Sequence, residues 1–181
     1  MEDAQIISMF ADERTREAAF SHLLKKYQQK IYWHVRRMVI DHDDADDVTQ
    51  DIFIKVWRNL EKFREDSQLY TWLYRIATNE CITFLNKKKQ KYNISLDEDS
   101  SSYLAETLAD TSYFNGDKAQ MKLQQALLTL PEKQRLVFNM KYFEDLKYDE
   151  ISQILGTSVG ALKASYHLAV KKVESFFNNN D

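Results

Sequence analysis

The scarcity of glycine and proline constrains the fold of this chain more than any other feature of its sequence. Only three Gly and one Pro occur among 181 residues. Tight hairpins depend on such turn residues, and the alternating runs of β-branched residues that form strands are also missing. Since 44% of the residues are hydrophobic, the chain can still bury packed cores. The sequence therefore predicts an all-α protein made of small helical domains.

Apolar residues recur at three- and four-residue steps in three segments of the first part of the chain, which is the spacing of helices with one buried face. The first set is Phe20, Leu23, Leu24, Tyr27, Ile31 and Met38; the second is Ala45, Val48, Ile52, Phe53, Val56, Trp57 and Leu60; the third is Trp72, Leu73, Ile76, Ala77, Cys81 and Phe84. Thr71 is predicted to cap the third helix. Together these helices are expected to form a compact bundle.

An acidic stretch at residues 92–116 divides the chain. It contains five acidic residues and no Lys or Arg. The formal net charge of the whole chain is −3, but that of each flanking part is +1. Its Ser, Asp and Glu content is typical of a tether. Its apolar residues, which can dock on a domain, are Tyr103, Leu104, Leu108, Tyr113 and Phe114. We predict two domains, at 1–91 and 117–181, joined by an acidic linker at 92–116.

The segment KYDEISQILGTSVGALKASYHLAVKKV, residues 147–173, has the pattern of a helix-turn-helix. Gly156 is predicted to end the first helix, and Ser158 is a candidate N-cap of the second. The buried face of that second helix is predicted to comprise Leu162, Tyr166, Ala169, Val170, Val173 and Phe177. Upstream, Pro131 stands where a helix can start, and Leu136, Val137, Met140 and Phe143 are expected to face inward. Ordinary helical bundles also contain such a pattern, so DNA binding is one of two interpretations.

The opposite face of the last helix carries Lys163, Ala164, His167 and Lys171. Small residues let a helix enter the major groove, and cations can contact phosphates. A solvated helix with a basic C-terminal half is the alternative. No Arg, Asn or Gln occurs from Val159 to Val173. These are the side chains that most often form two hydrogen bonds with a single base, so the helix has few groups for recognising a DNA sequence directly. We therefore expect modest affinity and strong salt dependence.

The stretch DDADDVTQDIFIKVW, residues 43–57, joins five aspartates to an apolar helix. A helical projection places Asp47, Gln50, Asp51 and Ile54 on the polar side, where an isoleucine is typical of a protein interface. A solvated helix start and a metal-binding loop are the alternatives. The metal site is disfavoured because no Gly occurs between Met1 and Asn115, whereas an EF-hand loop needs one.

A run of lysines, NKKKQK, ends the helix that follows the loop FREDSQLY. Such a run is usually only a solvated face. The aromatic and polar residues of FREDSQLYTWLYR can also hold unpaired bases by stacking and hydrogen bonding. The opposing interpretation is that Trp72 and Tyr74 pack in the core. We expect core packing mainly for Trp72.

Enzymatic chemistry has little support in the sequence. The four histidines form no H-E-x-x-H pattern, and neither a Gly-rich phosphate loop nor a nucleophile motif occurs. The single cysteine excludes an internal disulfide. We expect no enzyme activity, no cofactor, no bound metal and no small-molecule substrate. No signal peptide pattern is seen and no segment is apolar enough to span a membrane, so a cytoplasmic location is expected.

Taken in order, the motifs DADDVTQDIFIKVW, F-x-x-D-S-x-x-x-TWLYRIATN and LPEKQRLVF-x-x-x-Y-x-x-x-x-YDEISQILGTSVGALK resemble those of the extracytoplasmic-function (ECF) group of sigma-70 family sigma factors. The resemblance covers nearly the whole chain. It implies a sigma2-like N-terminal bundle and a sigma4-like C-terminal domain, which bind bacterial core RNA polymerase and direct promoter-specific transcription initiation. A stand-alone helix-turn-helix regulator and a Mg²⁺-dependent nucleic-acid enzyme are the alternatives.

The resemblance also implies roles for particular residues. Core polymerase is expected to bind Asp47, Gln50, Asp51 and Ile54. The minus-10 promoter element is expected to be recognised and melted by Phe63, Asp66, Ser67, Arg75, Asn79, Lys87 and Lys88. The minus-35 element is expected to contact Ser158, Lys163, Ala164, His167 and Lys171.

The last helix departs from the family pattern at three positions. Ser165, Leu168 and Val170 stand where recognition helices of the family often carry arginines, which puts the usual minus-35 sequence in doubt. Leu168 is instead a candidate for protein contact. Members of the family are typically held by a membrane-linked anti-sigma factor, so we expect control in trans and a monomer outside the holoenzyme.

Overall fold

The computed structural model describes residues 1–92, 101–110 and 117–180, and within them every regular element is helical. The helices are α1 (Asp3–Ala11), α2 (Arg16–Val39), α3 (His42–Asn59), α4 (Leu69–Lys91), α5 (Ser101–Asp110), α6 (Lys118–Leu128), α7 (Glu132–Phe138), α8 (Tyr148–Leu155) and α9 (Val159–Asn179). A 3₁₀ turn, Leu60–Lys62, follows α3, and a π-helix, Asn139–Phe143, continues α7. The predicted all-α class is confirmed. No helix in the described part of the chain is long and apolar enough to cross a membrane.

Helices α1 to α4 form the N-terminal bundle, and the three predicted apolar stripes face its core. Buried members of the stripes are Leu23, Tyr27, Ile31, Met38, Ala45, Val48, Ile52, Phe53, Val56, Leu60, Leu73, Ala77 and Cys81. Trp57 is the main departure, because it is 37% exposed at the edge of the stripe. Its ring meets the edges of Phe10 and Phe20 at centroid distances of 5.2 and 5.0 Å.

The three apolar stripes in the sequence did not predict the short helix α1. It buries Ile6 and Phe10 against α2 and the turn after α3. Its start is a capping box, in which the Glu2 backbone N–H donates to Gln5 Oε1 at 3.1 Å. Such a box satisfies amides that the first helical turn leaves without partners.

The predicted cap of the third bundle helix is wrong. Helix α4 begins at Leu69 with Gln68 at the N-cap position, and Thr71 lies within the first turn of the helix with a buried hydroxyl. Leu69 is itself buried, so the helix starts earlier than the polar residue that was expected to cap it. Packing of an apolar first turn here outweighs the local capping preference.

The C-terminal part follows the predicted helix-turn-helix. Pro131 is the N-cap of α7. Gly156 ends α8 with a φ of 66°, and the Ser158 hydroxyl caps α9 by accepting from the Ala161 N–H at 3.3 Å. The buried face of α9 contains Leu162, Ala169 and Val173, as expected.

The left-handed backbone at Gly156 leads to a stability prediction. Gly156→Ala is expected to lower the free energy of unfolding by roughly 1 kcal/mol, because a Cβ is disfavoured at positive φ. The matched control is Gly160→Ala inside α9, where a Cβ meets nothing within 4 Å. It should raise stability by roughly 0.5–1 kcal/mol, since alanine is the better helix former. Urea unfolding measures both, and equal effects of the two changes would contradict this interpretation.

Part of the predicted linker is helical. Helix α5 contacts α6, and its Leu104 and Leu108 side chains are 0% and 2% exposed. Two of the apolar residues that were expected to dock are therefore buried. Tyr113 and Phe114 lie outside the described residues, and the side chain of Tyr103 does as well.

Candidate functional site

The outward face of α3 carries the first group of predicted site residues. Asp47, Gln50, Asp51 and Ile54 are all exposed, and Ile54 keeps 50% of its surface accessible. Ile52, between them in sequence, is completely buried. Because successive helical residues turn by about 100°, one short segment presents both faces. The result is an apolar centre among carboxylates and an amide, with no ion pair to either Asp47 or Asp51 among the described residues.

Most aspartates at the head of α3 have local structural partners. Asp41 is the N-cap, and its carboxylate accepts from the Asp44 N–H at 2.9 Å. Asp44 pairs with Lys88 of α4 at 2.9 Å, and Asp46 lies 3.4 Å from His42. These contacts leave Asp43, Asp47 and Asp51 as the outward charges, of which Asp47 and Asp51 lie on the same face as Ile54. The Asp44–Lys88 pair could not be predicted from local spacing, because the two residues belong to different helices.

The lysine run at the end of α4 is divided between solvent and protein. Lys87 is exposed. Lys88 is paired with Asp44, and Lys89 is 4% exposed with its ammonium 3.9 Å from Glu132 of α7. Both pairs tie α4 to other helices, so the run is more than a solvated face.

The loop before α4 and the start of α8 share a cavity of about 620 Å³. Phe63, Asp66 and Ser67 line it from the loop, and the ring of Phe63 lies 5.3 Å from that of Trp72. Residues of α1 line it too, and Lys147, Asp149, Glu150 and Gln153 contribute from the helix-turn-helix region. The cavity is thus bounded by both parts of the chain.

On the exposed side of α4, Arg75 and Asn79 lie one turn apart. The Arg75 guanidinium donates from Nε and Nη2 to the Gln153 carbonyl of α8 at 3.2 and 2.8 Å. Arg75 therefore belongs to the contact between the two parts of the chain, which its sequence position did not indicate.

Tyr74 differs from the expectation for the aromatic residues. It is 3% exposed, whereas Trp72 is only half-buried, so Tyr74 is the more deeply packed of the two. Its hydroxyl donates to Glu144 Oε2 at 2.7 Å. Burial and the neighbouring carboxylate raise the pKa of the Tyr74 phenol, which keeps it protonated as a donor.

The same carboxylate forms an ion pair with Arg37 of α2. The Arg37 and Glu144 side chains are only 18% and 9% exposed, and the Arg37 guanidinium lies 4.5 Å from the centroid of Phe143. His34 is buried beside them and bonds Thr78 Oγ1 at 2.9 Å. Burial, together with Arg37, lowers the pKa of His34 to about 3, so the imidazole is neutral near pH 7.

The outward face of α9 carries the third group of predicted residues. Lys163, Ala164, His167 and Lys171 are all exposed on it, and Ser158 is exposed at its start. Lys163 extends over the ring of Tyr148, with its ammonium 5.8 Å from the ring centroid. Leu168 is 48% exposed beside them. The face combines small residues, cations and one exposed leucine.

The described residues contain no group of three or more His, Cys, Asp or Glu side chains that could hold a metal ion. The three surfaces can form ion pairs, hydrogen bonds and aromatic or apolar contacts. Interactions of these kinds are suited to binding macromolecules.

Comparison with known families accounts for both parts of the chain. The family model of sigma-70 region 2 matches residues 23–91, and that of sigma-70 region 4 matches residues 120–173. These segments contain α3 and α4 and the helix-turn-helix, respectively.

Curated relatives are similar over most of their length. The ECF RNA polymerase sigma factor SigW of Bacillus subtilis is 33% identical over 156 residues, which cover 82% of this chain and 83% of that protein. RNA polymerase sigma-H factor of Pseudomonas aeruginosa is 31% identical, with 96% and 92% covered. The ECF sigma-E factor of Escherichia coli is 29% identical, with 88% and 86% covered.

Solved structures share the fold. CnrH, solved in complex with the cytosolic domain of CnrY, has a TM-score of 0.70 at 21% identity and covers 99% of both chains. RpoE of Bartonella quintana, solved with the anti-sigma factor NepR, has a TM-score of 0.69 at 19% identity, with 90% of this chain and 98% of that chain covered. The two family models and the curated relatives confirm the predicted resemblance: the chain belongs to the ECF group of the sigma-70 family, the sigma factors that direct RNA polymerase to initiate transcription at specific promoters.

Proposed function

We propose that the outward face of α3 binds core RNA polymerase through Asp47, Gln50, Asp51 and Ile54. The observation that carries this proposal is the exposed Ile54 at the centre of a polar face whose reverse side is buried. Interfaces combine apolar centres with charged neighbours, which supply specificity and faster association. The two aspartates lack intramolecular ion pairs within the described residues and so remain available to cations of a partner.

The second proposed surface recognises and melts the minus-10 element. It comprises Phe63, Asp66, Ser67, Arg75, Asn79, Lys87 and Lys88. The proposal is supported by the cavity beside the loop, which contains an aromatic pair and polar side chains suited to holding a flipped base. Lys88 has to leave Asp44 before it can contact a phosphate, whereas Lys87 is already exposed.

The third proposed surface binds the minus-35 element through α9, with Ser158, Lys163, Ala164, His167 and Lys171. The proposal is supported by the outward orientation of Lys163, Ala164, His167 and Lys171 on α9. This helix is the second of the helix-turn-helix, the one that enters the major groove in such motifs. We therefore assign sigma2-like functions to 1–91, sigma4-like functions to 117–181 and a connecting role to 92–116.

Lys163→Ala is expected to weaken binding of minus-35 DNA by the holoenzyme and to reduce the slope of log affinity against log salt by about one unit. The reason is the loss of one phosphate contact with its released counterion. Lys133→Ala is the matched control, because Lys133 is exposed on α7, a helix that packs on the buried side of α9. An unchanged salt slope for Lys163→Ala would remove this residue from the DNA interface.

The proposed function as a whole is tested by run-off transcription with purified core polymerase and a promoter library. We expect the chain to direct initiation with core and to bind promoter DNA only weakly alone. Strong sequence-specific binding without core, together with no transcription in its presence, would favour a stand-alone regulator instead. Such a regulator also predicts palindromic sites and a stable homodimer, whereas we propose a monomer outside the holoenzyme.

We further propose an anti-sigma factor as the partner that controls this chain, linked to the membrane and acting in trans on a cytoplasmic sigma factor. The proposal is supported by two proteins of the same fold that were solved with the cytosolic domain of CnrY and with the anti-sigma factor NepR. Co-purification of a tagged chain from its native host tests it. An anti-sigma factor with a membrane-spanning segment is expected among the captured proteins, and its absence would contradict this part of the proposal.

A further inference from the structure

Three residues of α9 stand where recognition helices of the family often carry arginines, and the structure separates them by exposure. Val170 is partly buried and packs on the hydrophobic core that includes Ala169. Ser165 is partly buried as well. Leu168 is the exposed member of the three, with 48% of its surface accessible. A partner that lies against the outward face of α9 therefore meets a leucine side chain at this position.

Leu168 continues a strip of apolar groups along the outward face of α9. At 100° per residue, Ala161, Ala164 and Leu168 project within about 60° of one another. All three residues are exposed. Since a helix rises by about 1.5 Å per residue, this apolar strip is about 10 Å long, which is the height of about three stacked base pairs.

The charges around the apolar strip favour DNA as its partner. Lys163, His167 and Lys171 are exposed along one side of the strip, where cations can contact phosphates. No Asp or Glu occurs from Val159 to Val173. The exposed Ile54 of α3 lies among exposed aspartates instead, which repel phosphates. The two exposed aliphatic side chains are thus suited to different partners, and that of Leu168 is a polyanion.

Thymine is the base whose chemistry matches the apolar strip. Its C5-methyl is the apolar group that base pairs present in the major groove, whereas the other positions are hydrogen-bond donors and acceptors. Alanine and leucine side chains can bury a methyl group but cannot pair with a donor or an acceptor. Arg, Asn and Gln, which read guanine and adenine by paired hydrogen bonds, do not occur from Val159 to Val173.

We propose that Leu168, together with Ala161 and Ala164, contacts the methyl groups of thymines in the major groove of the minus-35 element, and that these contacts select thymine there. The inference rests on the proposed binding of this element by α9. It goes further because it names the class of base that is selected and the side chains that select it. Leu168 is then a specificity-determining residue, whereas the lysines supply affinity through phosphates.

Selection from a promoter library tests the base preference. Holoenzyme assembled from this chain and purified core RNA polymerase selects duplexes whose minus-35 region is randomised. We expect about three adjacent positions to be enriched in A·T pairs, because the apolar strip spans about that many. Selected sites that share only G·C pairs would overturn the proposal.

Removal of single methyl groups tests the contact itself. Deoxyuridine pairs as thymidine does and lacks only the C5-methyl, so its incorporation keeps every hydrogen-bonding group of the base. Each replacement under the apolar strip should lower the affinity of the holoenzyme about fourfold, which is the loss of one buried methyl group. In Leu168→Ala, replacement of the thymidine that Leu168 contacts should have no further effect. Fluorescence anisotropy with labelled duplexes measures these affinities.

Lys163→Ala is the matched control, because it removes a proposed phosphate contact from the same helix. It should weaken binding of thymidine and deoxyuridine duplexes by the same factor, so that the methyl effect stays about fourfold. Leu168→Ala should keep the fold, since Leu168 is exposed and alanine favours a helix. Thermal unfolding checks this, and the deoxyuridine series on the unchanged chain tests the proposal without any variant.

Equal affinities of the holoenzyme for thymidine and deoxyuridine duplexes would overturn the proposal. A Leu168→Ala chain that keeps the full methyl effect but assembles less well with core would do so too, and would assign Leu168 to a protein contact. Failure of the proposed function gives a different result. The holoenzyme would then show no preference among minus-35 sequences, and scrambling the whole region would leave its affinity unchanged.

Discussion

Asp51→Lys is expected to abolish binding of the chain to core RNA polymerase while leaving its fold intact. Asp51 is exposed on the outward face of α3, close to Ile54, and has no ion pair within the described residues. Reversal therefore breaks no internal contact but puts a positive charge where the proposed partner presents cations. Like charges across an interface cost several kcal/mol, so affinity should fall by about 100-fold or more.

Fluorescence anisotropy with labelled chain and purified core measures this loss, and thermal unfolding by circular dichroism measures the fold. Glu13→Lys is the matched control, because it makes the same change of charge at an exposed site outside the proposed interface. It should leave polymerase affinity unchanged. If Asp51→Lys instead unfolds the N-terminal bundle, Asp51 is structural and the assignment of the outward face is wrong.

Ile52→Ala is expected to lower the stability of the fold strongly while leaving the polymerase-binding surface intact, the opposite of what we expect for Asp51→Lys. Ile52 is 0% exposed in the core between α3 and its neighbours. Removing its buried atoms loses their transfer free energy and leaves a cavity, which should lower the free energy of unfolding by about 2–5 kcal/mol. Urea unfolding followed by circular dichroism measures this change. Below the unfolding transition, the remaining folded chain should still bind polymerase.

The control for this prediction is the same substitution two residues away. Ile54 is 50% exposed, so Ile54→Ala should change stability by no more than about 0.5 kcal/mol. It should instead weaken polymerase binding, because it removes the apolar centre of the proposed interface. Equal destabilisation by the two substitutions would show that Ile54 packs as deeply as Ile52 and would invalidate the division of α3 into two faces.

Much of the fold was predictable because helical periodicity is local. The spacing of Val48, Ile52 and Val56 places them on one side of α3 whatever surrounds the helix. The same is true of Leu162, Ala169 and Val173 on α9. The Gly156 turn also depends on a local property, the backbone freedom of glycine.

Predictions that depended on neighbouring elements were less successful. Thr71 matched a local capping preference, but the apolar first turn of α4 is packed and the helix begins before it. Trp72 was expected to be the better buried aromatic residue, yet Tyr74 is packed more deeply because α2 and Glu144 lie against it. Spacing alone could not rank two aromatic residues that stand two positions apart.

By itself, the sequence determined the helical class, the position of the helix-turn-helix and the side of α3 that carries the outward aspartates and Ile54. These features follow from repeating backbone geometry and from side chains within a few residues. Only the tertiary structure decided which distant groups meet: Arg37 contacts Glu144 across 107 residues, and Arg75 bonds Gln153 across 78. Such contacts arise when two packed surfaces dock, so no local spacing encodes them.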